Sequence, residues 1–251
     1  MHLFALPEFP LVAPGDDLAS LILDALARCG QGIAPGDVVA VAQKIVSKAE
    51  NRYVRLADVA PGPEALALAA ETRKDPRLVE LVLRESSEVV RKRPGVLIMR
   101  HRLGYVMAQA GIDQSNLPSD EGDPRVLLLP EDPNASAARL RRAIEDRTGV
   151  APFVIVTDSW GRPWRRGVVG FAIGTAGFAP LVSRIGETDL FGRRLEITEV
   201  AVADQLAAAA SFLMGEGSEG SPVVMIRGAR LAPSDENAEQ LLRPREQDLF
   251  R

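Results

Sequence analysis

The sequence has very little cysteine and histidine. Its 251 residues include one cysteine, Cys29, and two histidines, His2 and His101. A single cysteine excludes an intramolecular disulfide and a cysteine-rich zinc site. A Ser-His-Asp or Cys-His system would have to use His101, because His2 is terminal, and no Gly-x-Ser-x-Gly motif accompanies it. We therefore expect the chemistry to depend on carboxylates, lysine, arginine and a bound metal ion.

An excess of charge of one sign and long apolar runs are also lacking. The 30 lysines and arginines nearly balance the 34 aspartates and glutamates, and a net charge of −4 gives no reason to expect binding to nucleic acid or to an anionic membrane. No apolar run reaches membrane-spanning length, and the N-terminus lacks the basic flank and apolar core of a signal peptide. The expected location is therefore the cytoplasm.

The apolar content is high enough to build a core. With 46% apolar residues, the chain can form one large domain or two small ones. No internal repeat, low-complexity segment or clean linker divides it. We expect a single unit over residues 1–251, which could hold two subdomains.

The most informative stretch covers residues 154–167. It opens with an apolar, β-branched run that predicts a buried strand, which we expect to end at Asp158 and Ser159 before a turn of glycine and proline. Three arginines and both tryptophans of the chain lie in or just after this turn. The oxygens suit Mg²⁺ or Mn²⁺, and the guanidinium groups suit phosphate. A capped turn with solvated arginines fits the residue types equally well, but the two tryptophans favour a site.

Two lysines follow another predicted strand. The apolar run at residues 38–41 leads into Gln43, Lys44 and Lys48, without the spacing of a Walker P-loop. A lysine just past a strand can meet a phosphate as a compact positive charge. Taken alone, however, these two lysines are better interpreted as part of a solvated face.

Polar residues also cluster in two loops. Asp113, Ser115 and Asn116 alone predict a turn. Together with Asp158 they predict a shared metal site, because Mg²⁺ usually takes one or two protein carboxylates plus phosphates and water. Residues 215–222, rich in glycine and serine, predict either a plain linker or a loop whose backbone N–H groups wrap a nucleotide.

Hydrophobic periodicity predicts mixed helices and strands. The predicted helices cover residues 18–29, 61–71, 77–84, 137–148 and 198–214. The predicted strands cover residues 38–41, 89–90, 96–99, 126–129, 154–159, 195–197 and 223–226. Asp16 or Asp17 should cap the first helix, and Asn134 or Ser136 the fourth. The small residues of 169–177 predict a close approach of backbones.

Several stretches, taken together, carry a family resemblance. They are Leu6-Pro7-Glu8-Phe9, Lys44-Ile45-Val46-Ser47-Lys48, Gly111-Ile112-Asp113-Gln114-Ser115-Asn116, Leu129-Pro130-Glu131-Asp132-Pro133, Thr157-Asp158-Ser159-Trp160-Gly161-Arg162-Pro163-Trp164-Arg165, Thr198-Glu199-Val200-Ala201-Val202-Ala203-Asp204, and Leu242-Arg243-Pro244 with Asp248-Leu249-Phe250. In this order, nearly end to end, they resemble the coenzyme F420-0:L-glutamate ligase family, the γ-glutamyl ligases that elongate the F420 tail. No single motif is decisive, but the ordered set is specific.

The resemblance implies both a fold and a reaction. The fold would be α+β, mixed α/β with largely antiparallel sheets, assembled as an intertwined homodimer. The enzyme would use GTP and Mg²⁺ or Mn²⁺, with K⁺ as a further candidate, to join L-glutamate to coenzyme F420-0 through an acyl phosphate and a γ-glutamyl amide bond. Two alternatives remain open: a related nucleotide-dependent carboxylate–amine ligase with another acceptor, and a nucleotide- or flavin-binding protein without turnover.

The resemblance also implies roles for individual residues. Asp113, Asp158, Ser159 and Glu216 would hold metal ions. Asp158, Lys48, Arg162 and Arg165 would act in catalysis. The nucleotide would contact Leu6, Pro7, Glu8, Phe9, Gln43, Lys48, Asn116 and the loop Gly215, Glu216, Gly217, Ser218, Glu219, Gly220 and Ser221.

Two departures from the family pattern stand out. Val168, Val169 and Gly170 stand where the pattern usually has Gln-Thr-Asp, and Glu216 stands where a glutamine is typical. The first departure predicts a less polar and less negative acceptor end of the site, with ordinary binding of GTP and metal. It leaves the true acceptor and the number of added glutamates open.

Overall fold

The structure is a computed structural model that describes residues 1–118 and 124–249; Phe250, from the C-terminal motif, lies outside them. The helices are α1 (Leu18–Arg28), α2 (Gln43–Ala49), α3 (Pro63–Thr72), α4 (Pro76–Arg84), α5 (Pro133–Thr148) and α6 (Val202–Met214). The strands are β1 (His2–Ala5), β2 (Val38–Ala42), β3 (Tyr53–Arg55), β4 (Ser86–Arg93), β5 (Val96–His101), β6 (Val106–Ala108), β7 (Arg125–Leu127), β8 (Phe153–Arg162), β9 (Arg165–Ala176), β10 (Val182–Ser183), β11 (Glu199–Val200) and β12 (Val223–Arg227). Short 3₁₀ turns complete the elements.

A five-stranded sheet forms the centre of the molecule. Its strand order is β1-β12-β2-β8-β9, and only the β2–β8 pair is parallel. Alternate residues of β2 and β8 pack on opposite faces, one against α1 and α5, the other against α6. Coverage of both faces explains why these strands are continuously apolar. The predicted mixed fold with largely antiparallel sheets is confirmed.

A second apolar cluster forms beside this sheet. It joins α3 and α4 to the antiparallel sheet β4-β5-β6, with Leu97 and Met99 buried at its centre. Glu85, just after α4, lies 3.5 Å from Arg52 and 3.3 Å from Arg102. Arg52 in turn donates to the Leu129 carbonyl at 2.9 Å, which connects this cluster to the chain entering α5. Whether the two clusters are subdomains of one unit stays a prediction.

The central strand is longer than the sequence predicts. We expected it to end at Asp158 and Ser159, but β8 continues to Arg162 and pairs with β9 throughout. The pairing with β2 stops at Thr157, so the remainder is a two-stranded ribbon that projects past the sheet. Asp158 therefore lies within a strand, and the turn falls at Trp164, whose φ is 64°. The expectation failed because pairing with β9, and not the local sequence, determines where β8 ends.

Three other local predictions need correction. Residues 195–197 are not a strand, and α6 begins at Val202, since the preceding Glu199–Val200 pairs with β10. The N-cap of α5 is Asp132, whose side chain accepts from Ala135 N, because Pro133 occupies the first helical position. Asn134 instead accepts from two distant backbone amides. The capping of α1 by Asp17 is confirmed.

Membrane-spanning helices were also sought. Within residues 1–118 and 124–249, every helix is too short or too polar to cross a membrane.

Candidate functional site

The candidate site lies where β2 ends beside β8. Asp158 is the first residue of β8 beyond the pairing with β2, and its carboxyl is packed deep among protein atoms although part of the residue reaches the surface. Burial raises the pKa of Asp158 to about 7, and repulsion by Asp113 and Glu216 adds to the increase. Two interactions lower the pKa of Asp158 in part: the Ser159 N–H, which donates to its carboxyl at 2.8 Å, and the charge of Lys44. Burial and the neighbouring carboxylates therefore favour the protonated form of Asp158 more than Lys44 opposes it.

Asp113 is fixed opposite Asp158 by its backbone and its side chain. Its backbone N–H and C=O both bond to Leu127 at 2.9 Å. Its carboxylate accepts from Gln43 Nε2 at 2.6 Å and lies 3.0 Å from Lys44 Nζ. Ser47, one turn along α2, donates to Gln43 Oε1 at 2.9 Å, and this bond sets which end of the Gln43 side-chain amide faces Asp113.

The two lysines of α2 lie on one face because they are four residues apart. Lys48 is buried and donates to the Asn116 carbonyl at 2.8 Å. Burial and the neighbouring Lys44 lower the pKa of Lys48. Lys44 also donates to the Ser115 carbonyl at 3.2 Å. The interpretation of the two lysines as part of a solvated face is therefore wrong for Lys48, which is buried, and Lys44 is paired with Asp113.

The loop after α6 reaches the same place. Ser159 Oγ donates to Glu216 at 2.8 Å, and Ser211 of α6 donates to the other Glu216 oxygen at 3.2 Å. Asn116 Nδ2 donates to the Gly217 carbonyl at 3.1 Å. The structure therefore brings together four of the predicted segments: the start of α2, the Asp113–Asn116 turn, mid-β8 and the glycine-rich loop.

Two predicted arginines are not part of this cluster. Arg162 and Arg165 lie at the end of the ribbon, and Arg162 donates to the Gly167 carbonyl within it at 3.2 Å. Arg162 is four residues beyond Asp158, or about 13 Å along a strand. The predicted turn position is therefore wrong, and the catalytic role of both arginines stays a prediction.

The predicted nucleotide segment at Leu6–Phe9 contributes core side chains. Leu6 is fully buried, Phe9 is nearly so, and the Leu6 N–H donates to the Val223 carbonyl at 2.9 Å. Pro7 and Glu8 remain exposed, and Glu8 has a φ of 50°. Any ligand contact here would therefore use the backbone or Pro7 and Glu8.

The donor set suits a hard divalent cation only with help from a ligand. Within the described part of the chain, no group of three or more His, Cys, Asp and Glu side chains is arranged to hold a metal ion. Asp113 and Asp158 nevertheless offer carboxylate oxygens in mutual repulsion. Mg²⁺ and Mn²⁺ are compatible with such a pair when phosphate and water complete the coordination.

Gly170 confirms the close approach of backbones that the small residues of 169–177 predict. It pairs with Ser159 and lies against α6. A Cβ at this position would stand 2.5 Å from Ser211 Cβ and 2.7 Å from the Ala207 carbonyl. The glycine is therefore explained by the close approach of α6 to β9, whereas the predicted change at the acceptor end stays a prediction.

Comparisons with known proteins agree on one family. A family model described as F420-0:Gamma-glutamyl ligase matches residues 7–228. The Coenzyme F420:L-glutamate ligase of Methanothermobacter thermautotrophicus is 47% identical over 100% of this chain and 99% of its own length. The proteins of the same name from Methanopyrus kandleri and Archaeoglobus fulgidus are 45% and 42% identical, covering 96% and 100% of this chain and 93% and 96% of their own.

Proposed function

The chain belongs to the F420-0:gamma-glutamyl ligase family and is a ligase, and from this premise we propose that it joins L-glutamate to coenzyme F420-0 through an amide bond, with GTP as the energy source. The observation that supports this best is the meeting of Asp113, Asp158 and Glu216 with Lys44 and Lys48. Carboxylates for a metal ion and lysines for phosphate are what phosphoryl transfer requires of a protein.

Asp113 and Asp158 are the proposed ligands for Mg²⁺ or Mn²⁺. Ser159 and Glu216, joined at 2.8 Å, would serve a second ion. A bound divalent ion would offset the negative charge of the phosphate groups. The raised pKa of Asp158 fits this role, because a carboxyl crowded by other carboxyls gains most from a cation. K⁺ stays a candidate without assigned ligands.

The nucleotide phosphates are proposed to lie over α2. Lys44 contacts Asp113, Lys48 contacts the Asn116 carbonyl, and the burial of Lys48 strengthens its attraction for an anion. Asn116 and the backbone of the loop 215–221 would hold the rest of the nucleotide. Arg162 and Arg165, on the ribbon, would contact the charged acceptor instead.

The proposed reaction has two balanced steps. An acceptor carboxylate oxygen attacks the γ-phosphorus of GTP, the bond to GDP breaks, and an acyl phosphate forms. The glutamate amine then attacks the acyl carbon, inorganic phosphate leaves, and the amine loses a proton. The residues of the chain mainly position the reactants and offset their charge, which suits a site without cysteine or histidine.

We further propose that the protein is a homodimer. The arm at residues 181–200 carries Ile185, Leu190, Phe191 and Ile197, which are 55% to 98% exposed. Apolar side chains concentrated on a projecting arm are typical of a subunit contact.

Mass spectrometry of the product tests the ligase proposal. F420-0 incubated with the protein, GTP, Mn²⁺ and L-glutamate should gain one or more glutamyl residues. One GDP should appear for each glutamyl residue added. Turnover with another carboxylate but not with F420-0 would favour the ligase with a different acceptor. GTP binding without release of GDP under any of these conditions would favour a binding protein.

A further inference from the structure

A cavity of about 640 Å³ opens at the end of β9, between α5 and residues 233–237. Its volume is within the range of small-molecule sites. Thr175 on its floor pairs with Ile155, whereas Asp158 of the candidate site pairs with Phe171. Four residues of β9 separate these positions, or about 13 Å along the strand. The cavity is therefore separate from the acidic cluster.

Two residues that line this cavity each have a buried polar atom without a hydrogen-bond partner among the described residues, although the Arg141 Nη1 atom lies 3.7 Å from Glu145. Thr175 is 1% exposed, and its Oγ1 makes no hydrogen bond within the described residues. Arg141 Nε is also buried and makes no hydrogen bond within the described residues. The Thr175 backbone N–H is satisfied by Asn134 at 3.1 Å, so only the hydroxyl is left over. An unpaired buried donor is unfavourable, so a partner that reaches both groups would be favoured.

The floor of the cavity holds the Arg141 guanidinium in place. Gly177 has a φ of 95°, and a Cβ there would lie 2.7 Å from Arg141 Nε and 3.1 Å from the Phe153 ring. Glycine lets the arginine side chain lie directly on the backbone at the end of β9. Arg141 and Thr175 both line the cavity, and the Arg141 Nε and Thr175 Oγ1 atoms are buried behind its surface.

The charges around the cavity select the class of ligand. Arg141 and Arg142 of α5 contribute positive charge, and Asp132, Asp235 and Glu236 contribute negative charge. A simple anion would be repelled by the carboxylates and a simple cation by the arginines. A molecule that carries both charges would be attracted to both walls.

We propose that this cavity binds a small zwitterionic amino acid, with its carboxylate on Arg141 Nε and the Thr175 hydroxyl and its ammonium group toward Asp235 and Glu236. The site is distinct from the acidic cluster, and it stands whether or not the ligase proposal is correct.

Calorimetry with L-glutamate as the probe tests the site, in EDTA and without nucleotide so that metal-dependent binding is suppressed. Thr175→Val removes the hydroxyl at nearly constant volume and should weaken binding by about tenfold or more, as expected for a bond to a charged group. The variant should unfold at the same temperature or higher, because an unpaired buried hydroxyl is lost. Arg141→Lys, which keeps the charge but loses Nε–H, should weaken binding too.

Thr157→Val is the matched control. Thr157 is also buried, at 3% exposed, its Oγ1 also lacks a partner within the described residues, and it does not line the cavity. Its substitution should leave binding unchanged. Glutarate, which lacks the ammonium group, should bind more weakly than glutamate.

Four results would overturn the proposal: no binding at millimolar glutamate, equal binding by wild type and Thr175→Val, equal binding of glutarate and glutamate, or loss of binding in Asp158→Asn instead. The last would assign the amino acid to the acidic cluster.

Discussion

Asp158 is the residue on which the proposed chemistry depends most. It is held on a paired strand, so replacing it with asparagine changes charge with little change in shape. We expect Asp158→Asn to abolish ligation, because the metal loses a ligand between two other acidic groups. The melting temperature should stay equal or rise, since a crowded carboxyl is removed. Product formation and thermal unfolding, measured on the same preparation, check this; near-normal turnover would remove Asp158 from the site.

The raised pKa of Asp158 predicts a pH-dependent metal affinity. The folded pKa of about 7 exceeds the ordinary value of 3.8, so the metal-free folded state keeps a proton that the unfolded state has lost between these values. The stability contributed by this group is therefore present at low pH and lost as pH rises toward 7. A metal ion must displace that proton, so Mn²⁺ affinity should increase about tenfold per pH unit below 7 and level off above.

Titration of Mn²⁺ into the nucleotide-free protein at several pH values measures this dependence. Asp158→Asn serves as the control and should bind Mn²⁺ weakly with a flatter profile. A wild-type affinity that does not change across pH 7 would contradict Asp158 as a ligand.

The lysines of α2 should determine GTP affinity. Lys48→Ala and Lys44→Ala should each weaken binding of Mg²⁺–GTP by about tenfold to a hundredfold, because each removes a charge-assisted contact to phosphate. Lys92→Ala is the matched control, since Lys92 is 45% exposed and pairs with Glu71 far from the site. If all three variants bind GTP equally by calorimetry, α2 is not the phosphate site.

At the scale of elements, Gly170 lets β9 lie directly against α6. Gly170→Ala should destabilise the protein by about 1–3 kcal/mol, because the new methyl group overlaps Ser211 and Ala207. Gly161→Ala, in the partner strand of the same ribbon, is the control, since its nearest neighbour is 4.0 Å away. Chemical denaturation compares them; equal stabilities would refute the close packing.

The contact between Gly170 and α6 also determines the expected effect of replacing residues 168–170 with Gln-Thr-Asp. An aspartate at Gly170 cannot fit without moving α6, which carries Ser211 and leads into Glu216. We expect this triple variant to lose stability and metal-dependent activity together. If the variant is stable and only its kinetics with the acceptor change, residues 168–170 determine acceptor preference instead.

Elements also show what the sequence can predict. Hydrophobic periodicity and capping residues predicted α1, α4, β2 and β12 closely, because residues close together in the sequence determine their apolar faces and their ends. The extent of β8 was missed, since it depends on pairing with β9 beyond the end of β2. The charge types of the site were predicted, but the meeting of Lys44 with Asp113, 69 positions apart, is a tertiary contact that one sequence does not reveal.

At the scale of the whole molecule, the projecting arm should control assembly. Phe191→Asp and Leu190→Asp each place a charge on a side chain that is more than 95% exposed, so neither should harm the fold of a subunit. Light scattering should show a dimer for wild type and a shift toward monomer for both variants. Leu11→Asp, a similarly exposed residue outside the arm, should remain dimeric. A monomeric wild type would refute the proposed homodimer.

The central claim is that this protein ligates glutamate through an acyl phosphate. F420-0 labelled with oxygen-18 in the acceptor carboxylate tests it directly, since the attacking oxygen leaves with the phosphate. Mass spectrometry after incubation with GTP, Mn²⁺ and L-glutamate should find glutamylated F420 and inorganic phosphate that carries one labelled oxygen. Product with unlabelled phosphate would contradict the acyl phosphate, and the absence of glutamylated product would contradict the ligase assignment itself.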